Sequence, residues 1–192
     1  MSEHIIHTLE NRFKTFNQYY FNDQPETFQR LVHDGQKPEV MVIACCDSRT
    51  DPAILFQAKP GDLFVTRTIA NWVPAYKRFA DPCSVSAALA FAVIHLNVKH
   101  IVVLGHSLCA GVKTLTQDNS NIAKPVLEWT ATIEHETHEK HSMVHNVLLK
   151  SCHNLLTYPW INERVLANQL TCHAWCFNLE SGDLEQYQFQ EK

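Results

Sequence analysis

Two short apolar runs constrain the fold more than anything else in this chain. Val40-Met41-Val42-Ile43-Ala44 and Ile101-Val102-Val103-Leu104 are continuous and rich in β-branched residues. A strand with one solvated face alternates apolar with polar residues. An unbroken run instead reads as a strand buried on both faces, as in a parallel sheet covered by helices. Reactive residues follow each run at once: Cys45-Cys46-Asp47-Ser48-Arg49 after the first, Gly105-His106-Ser107-Leu108-Cys109 after the second. Ligands gather beyond the carboxyl ends of parallel strands. Two thiols, an imidazole and a carboxylate–guanidinium pair are therefore expected at one edge of one sheet.

The intervening sequence fits that architecture. Lys59-Pro60-Gly61-Asp62 is a turn leading into Leu63-Phe64-Val65-Thr66-Arg67, a further strand, and residues 84–96 are Ala-rich and helix-prone ahead of the second run. Strand, helix and strand in that order imply right-handed crossovers and a mostly parallel sheet. Helices are expected at 109–116, 123–156 and 159–170, and a terminal strand pair at 171–177 and 184–189. The opening segment, 2–32, is helix-like and polar, with Phe13, Phe16 and Tyr20 recurring at three- and four-residue intervals as one apolar face. Two readings fit that face: a helix on its own core, or an arm laid across a second subunit. The expected class is α/β, a mostly parallel central sheet flanked by helices with an N-terminal helical arm. It is read as a single domain over 1–192, with the arm at 1–34 and the core at 35–192.

Composition narrows the setting. A chain of 192 residues can bury a core without disulfide staples, and an odd number of cysteines, seven, points to a reducing cytoplasm. A net charge of −4 gives no electrostatic reason to bind nucleic acid or an anionic membrane. No apolar run approaches the ~18 residues of a membrane span, and the amino terminus lacks a signal core.

The two motifs carry metal chemistry. Zinc favours thiolate and imidazole, and its catalytic sites use three protein ligands with a fourth position open. Cys45, His106 and Cys109 supply that set, one zinc per chain. Strand alternation puts Cys45, Asp47 and Arg49 on one side and Cys46 on the other, so Cys46 is read as a small buried hydrophobe. Asp47 is placed to accept a hydrogen bond from metal-bound water, and the planar fork of Arg49 to keep that carboxylate ionised and off the metal. A closed structural zinc site with Asp47–Arg49 as an ordinary ion pair is the plainer alternative. The run His135-Glu136-Thr137-His138-Glu139-Lys140-His141, with His145 beyond it, reads as a solvated stripe, because it lacks His-Glu-x-x-His spacing. Cys83, Cys152, Cys172 and Cys176 read as buried thiols, with Cys172 and Cys176 alternatively an oxidisable pair.

On these motifs the chain resembles the β-class carbonic anhydrases, whose signature is Cys-x-Asp-Ser-Arg followed about sixty residues later by His-x-x-Cys. Pro60-Gly61-Asp62-Leu63-Phe64-Val65, Ile69-Ala70-Asn71 and Asn154-Leu155-Leu156-Thr157-Tyr158-Pro159 extend the likeness. The resemblance implies a zinc lyase that interconverts CO2 and bicarbonate by attack of zinc-bound hydroxide. It also implies a homodimer or higher homo-oligomer with the cleft at the subunit interface. It assigns Gln36, Phe64, Phe91 and Ala110 to the substrate pocket and His95 to proton shuttling. Core packing is the simpler reading of the two phenylalanines, and a buried hydrogen bond that of His95. Ala110 stands where the family usually has glycine. Val42 and Phe177 replace the tryptophan and tyrosine of the bicarbonate-inhibited branch, although its arginine is matched by Arg67. A plant-like branch without the allosteric bicarbonate site is expected. Hydrolysis of carbon disulfide or carbonyl sulfide on the same scaffold, or a non-catalytic zinc module, are the rival functions.

Overall fold

The two apolar runs lie side by side at the centre of a five-stranded sheet. The computed structural model describes residues 2–76, 83–117, 120–133 and 142–187. Its strands are β1 (Val40–Cys45), β2 (Leu63–Thr68), β3 (His100–His106), β4 (Thr171–Phe177) and β5 (Leu184–Tyr187), in the order β2-β1-β3-β4-β5. The first four are parallel and β5 returns antiparallel to β4. β1 pairs with β2 from Val40↔Leu63 to Cys45↔Thr68, and with β3 from Val40↔His100 to Ala44↔Leu104. The chain leaves β1 toward β2 on one side and leaves β3 toward β4 on the other. Their connections diverge, and a crevice opens beyond their carboxyl ends.

Both faces of the central strands are buried, as the unbroken runs require. Met41, Ile43, Ile101 and Val103 pack with Leu89 and Leu148 on one face. Val42, Ala44, Val102 and Leu104 pack with Phe56 and Trp175 on the other. The helices of this unit, Pro38–Lys192, are α3 (Pro52–Leu55), α4 (Ser84–Ala90), α5 (Ala110–Lys113), α6 (Lys124–Thr130), α7 (Met143–Leu155) and α8 (Pro159–Leu166), where the helices of the separate unit Met1–Lys37 are counted as α1 and α2. In that separate unit, α1 (Ser2–Asn17) and α2 (Glu26–Asp34) are joined by a π-helical turn, Gln18–Asp23, and α2 stops at Gly35, whose φ of +72° is the left-handed conformation glycine tolerates. Phe13, Phe16, Tyr20 and Phe28 stack within this unit, yet Phe13 remains 62% exposed.

Several elements differ from the sequence expectation for local reasons. Among the described residues, the long helical region at 123–156 holds two helices, α6 and α7, with a turn after Thr130. The histidine run at 135–141 lies outside the described residues. α8 ends at Leu166 rather than 170, because Asn168 turns left-handed at φ +54°. α3 was not expected: Asp51 caps it, accepting from the amides of Ala53 (2.9 Å) and Ile54 (3.4 Å). Cys172 and Cys176 are not an oxidisable pair, since four residues of strand separate them by about 13 Å. A disulfide joins Cα atoms no more than about 6.8 Å apart. Cys176 is buried, whereas Cys83 and Cys172 are only half-buried. No helix among the described residues is long and apolar enough to cross a membrane.

The second sheet face carries a cavity of about 390 Å³, lined by Val42, Phe56, Val102, His173 and Trp175 among others and by none of the metal-binding candidates. His173 Nε2 lies 3.3 Å from His100 Nδ1, which is also 2.6 Å from Thr171 Oγ1. Burial, and then the neighbouring His100, hold the His173 pKa below its ordinary value. The unfolded chain therefore binds this proton more readily than the folded one, and stability falls as pH drops below about 6.5. A His173→Leu variant is expected to lose less stability than the parent between pH 7.5 and 5.5 in chemical denaturation. Equal losses would show that the pair has no such role.

Candidate metal centre

Cys45 is the last residue of β1 and His106 the last of β3, so adjacent parallel strands deliver them to the same crevice. Cys109 arrives differently. His106 and Cys109 do not share a helix face, since His106 ends β3 and Cys109 precedes α5. Leu108 adopts a left-handed φ of +57°, which turns the chain back and sets Cys109 as the residue capping α5. The exposures of Cys45, His106 and Cys109 are 4%, 0% and 1%, so all three ligand atoms are withdrawn from bulk water. Cys46 points away and is exposed, correcting the expectation of a buried hydrophobe.

The three ligand atoms lie within 4.8 Å of one another. The two sulfurs are 3.8 Å apart. Two thiolates at about 2.3 Å on a tetrahedral zinc stand about 3.8 Å apart, so the donors fit the ion. His106 Nδ1 donates to the Ser107 carbonyl at 2.8 Å, which directs Nε2 toward the thiols. That Nε2 is buried and has no hydrogen-bond partner among the described residues. A buried lone pair facing two sulfurs is what a metal would satisfy.

Local electrostatics favour anionic sulfur. The Cys45 thiol is brought down to about 4, first by the hydrogen bond from Cys109, against burial, and then by His106 and the amides of Asp47 and Ala70. Cys109, the donor in that pair, is pushed up by Cys45 and by burial, and the amides of Val112 and Gly111 oppose the rise. Burial alone would depress His106, but the Cys45 sulfur leaves it above its ordinary value. The attraction that holds protons among these groups would equally hold a cation.

Ala70 lies in a turn at Ile69–Asn71 where Ala70 and Asn71 take φ of +64° and +47°. Trp129 Nε1 donates to the Ile69 carbonyl at 3.0 Å and ties α6 to this turn. α5 packs directly on it: a Cβ added at Gly111 would meet Ile69 Cγ2 at 2.6 Å and Ala70 N at 3.1 Å. Ala70, Trp72, Val112, Ile133 and Val147 pack around the two cysteines.

Asp47 and Arg49 form the expected pair. Arg49 Nε donates to Oδ1 at 2.9 Å, Nη2 to Oδ2 at 2.6 Å, and the Arg49 amide to Oδ1 at 3.0 Å. The guanidinium, against burial, holds the carboxyl well below the usual carboxylate range. Asp47 Oδ2 lies 3.9 Å from His106 Nε2, at the rim of the triad.

Phe64 and Phe91 lie back from the triad along the sheet, whereas Ala110 adjoins it. Phe64 and Phe91 stack with centroids 5.9 Å apart, and Phe91 is within 5.4 Å of the His95 ring. Phe64 pairs with Met41, four residues before Cys45 and so about 13 Å along the strand from it. Phe91 and His95 are exposed, which removes the reading of His95 as a buried hydrogen-bonded histidine. Ala110 is exposed at the start of α5, beside Cys109. Gln36 is exposed in the Met1–Lys37 unit. The roles of Arg67 and Asp51 beneath the Cys45–Arg49 segment were not anticipated, and an isolated arginine on a strand gives no signal of that kind.

Two cysteines and one histidine converging at the switch point of a parallel sheet define a zinc-binding α/β protein with a three-ligand site. The sequence model of the family described as carbonic anhydrase matches residues 40–184. Beta carbonic anhydrase 5, chloroplastic, of Arabidopsis thaliana is 33% identical over 95% of this chain and 65% of its own length. Carbonic anhydrase of Synechocystis sp. is 32% identical over 90% of this chain and 67% of its own. Among solved structures, the β-carbonic anhydrase CcaA superposes with a TM-score of 0.84 at 32% identity, covering 95% of both chains. The chain spans about two thirds of the length of these curated relatives. It belongs to the β-class carbonic anhydrases.

The protein is expected to bind one zinc per chain through this triad. Elemental analysis should find zinc lost in Cys45→Ala, His106→Ala and Cys109→Ala and retained in Cys46→Ala. Full zinc in a Cys45→Ala variant would overturn the ligand set. Gly111→Ala should destabilise the fold by about 1–3 kcal/mol through overpacking against Ile69, as read by denaturant titration.

Proposed function

We propose that this chain catalyses the reversible hydration of CO2 to bicarbonate and a proton. The observation that carries the reading is a carboxylate held bidentately by Arg49 at the rim of a three-ligand metal site, Asp47 Oδ2 being 3.9 Å from His106 Nε2. A purely structural zinc site has no need of such a group.

Cys45, His106 and Cys109 would hold the ion. Zinc, when bound, supplies a Lewis acid with a position open to water, whose acidity it raises toward neutrality. Asp47 accepts a hydrogen bond from the attacking water and aims its lone pair at the substrate carbon. Arg49 holds Asp47 in both charge and direction through two parallel hydrogen bonds. The Ala110 amide and the Gln36 side chain donate to substrate oxygen, Phe64 and Phe91 form an apolar wall, and His95 carries the released proton outward. A small uncharged substrate suits a mostly dry pocket with few donors.

The working unit in this proposal is a homodimer or larger homo-oligomer. Its support is the stacked Phe64–Phe91 pair, set back from the triad of its own chain, and the exposed apolar residues Ile5, Ile6, Leu9 and Phe13 of α1. Two β-carbonic anhydrases of Sordaria macrospora, similar to this chain at a TM-score of 0.78 and 26% identity, are described as tetrameric. In such an assembly Phe64 and Phe91 of one copy would wall the site of the next. Arm (1–34) and core (35–192) are proposed to act as one domain, supported by the likeness to CcaA over 95% of the chain. A plant-like branch without an allosteric bicarbonate site is proposed from Gln36, from Val42 and Phe177 at the diagnostic positions, and from the engagement of Arg67 by three acceptors. An odd number of cysteines, seven, supports a cytoplasmic setting.

Stopped-flow measurement of CO2 hydration tests the reading. Zinc-loaded protein should be active, and Asp47→Asn should keep its zinc while losing about 100-fold or more in turnover. An inactive zinc-loaded parent would overturn the reaction, and an unimpaired Asp47→Asn would overturn the role of Asp47.

A further inference from the structure

The proposed mechanism depends on the segment from Cys45 to Arg49, yet β1 ends at Cys45. Beyond it, Cys46 N donates to the Thr68 carbonyl at 3.1 Å, and Thr50 N closes a turn onto the Asp47 carbonyl at 3.1 Å. Thr50 Oγ1 donates to the same carbonyl at 3.1 Å, and Arg49 bonds the Asp47 carboxylate, while one side chain on the neighbouring strand adds three further bonds.

Arg67 sits on β2 opposite Ala44. Its Nε donates to the Cys45 carbonyl at 2.9 Å, its Nη2 to the Asp47 carbonyl at 2.7 Å, and its Nη1 to Asp51 Oδ2 at 2.8 Å. Every nitrogen of the fork is engaged, and the side chain is 26% exposed. Asp51 is fixed in turn, because its other oxygen caps α3. The guanidinium therefore links a metal ligand, the residue carrying the rim carboxylate and a helix terminus into one frame.

The Asp47 peptide is the pivot of that frame. Its amide faces the Cys45 sulfur, its side chain takes the Arg49 fork, and its carbonyl takes Arg67. A rotation of this peptide would move the sulfur's donor and the carboxylate together. A planar guanidinium fixes three acceptors at set angles, which a single flexible ammonium does not do.

We infer that Arg67 is a positioning residue of the metal centre, fixing the backbone of Cys45 and Asp47 and so the geometry of one metal ligand and of the Asp47 carboxylate. It touches neither metal nor substrate and acts through those two residues. The inference rests on the proposed function for its kinetic consequence only, since the metal geometry can be read without turnover.

The test uses the full chain loaded with Co(II), whose visible absorption reports the ligand geometry, and with zinc for kinetics. Arg67→Lys and Arg67→Ala are compared with the parent and with Arg164→Lys, a control on α8 whose guanidinium bonds Asn97 at 2.7 Å. Both Arg67 variants are expected to bind one Co(II) with a shifted visible spectrum. They should release metal to a chelator about tenfold faster, and lose kcat by about tenfold with a smaller change in KM. The Arg164→Lys control should match the parent in all three. If Arg67→Ala does not fold, Arg67→Lys decides, because it keeps the cation and loses only the fork. A parent-like spectrum and release rate in the Arg67 variants, with only a lower melting temperature, would overturn the inference. Should the zinc-loaded parent fail to hydrate CO2, the proposed function falls, while the Co(II) spectrum and release rate still judge Arg67.

Discussion

The parallel pairing of β1 with β3 sets where chemistry can occur in this molecule. Register from Val40↔His100 to Ala44↔Leu104 brings the carboxyl ends of both strands to one level, and Cys45 and His106 leave the sheet there. Cys45 stands level with Gly105 and His106 one position beyond, so a slip of one residue that carries His106 onward would part the two ligands by about a further 3.3 Å along the strand direction. The buried apolar runs hold that register, because the same slip would exchange Met41 and Ile43 for Val42 and Ala44 against α4 and α7. The left-handed turn at Leu108 and the close seat of Gly111 on Ile69 then only complete a site that the strands have already placed.

Charge balance follows from that convergence. Two thiols 3.8 Å apart and nearly inaccessible to water do not both ionise without a cation between them. The chain prepares for one with backbone amides at each sulfur, from Asp47 and Ala70 at Cys45 and from Gly111 and Val112 at Cys109. Two thiolates offset a divalent ion, and Arg49 offsets Asp47, so the loaded centre is formally neutral. A neutral centre neither favours the proposed uncharged substrate electrostatically nor retains the anionic product. The tuning then falls to hydrogen-bond direction, which is why the orientation of the Asp47 carboxylate matters more than its charge alone.

Those parts of the fold and site that depend on local pattern were legible in the sequence. Unbroken apolar runs identified β1 and β3, and the residues directly after them identified Cys45, Asp47, Arg49, His106 and Cys109. Helix breaks were less legible, because propensity carries across 123–156 while the turn after Thr130 depends on tertiary packing. Cys46 was read as buried because the side opposite Cys45 was taken to face core, whereas β1 ends at Cys45 and Cys46 is exposed beyond it. Arg67 carried no signal of its own, since its three acceptors lie 16 to 22 positions away in sequence. Which copy's site Phe64 and Phe91 would line was not legible, because it depends on the register, which puts Phe64 four residues back from the level of Cys45.

That offset separates two tasks within the chain. The metal half of the site is self-contained: the buried ligands, the Asp47–Arg49 pair and the Arg67 frame all come from strands and turns of one sheet. The apolar half is not. Phe91 stacks on Phe64 yet stays 43% exposed, and α1 leaves Ile5, Ile6 and Leu9 more than half exposed. Large apolar side chains held in order at a surface cost solvation unless something covers them. In the proposed assembly the Phe64–Phe91 pair would find its cover against a neighbouring copy's metal centre and serve there as a wall.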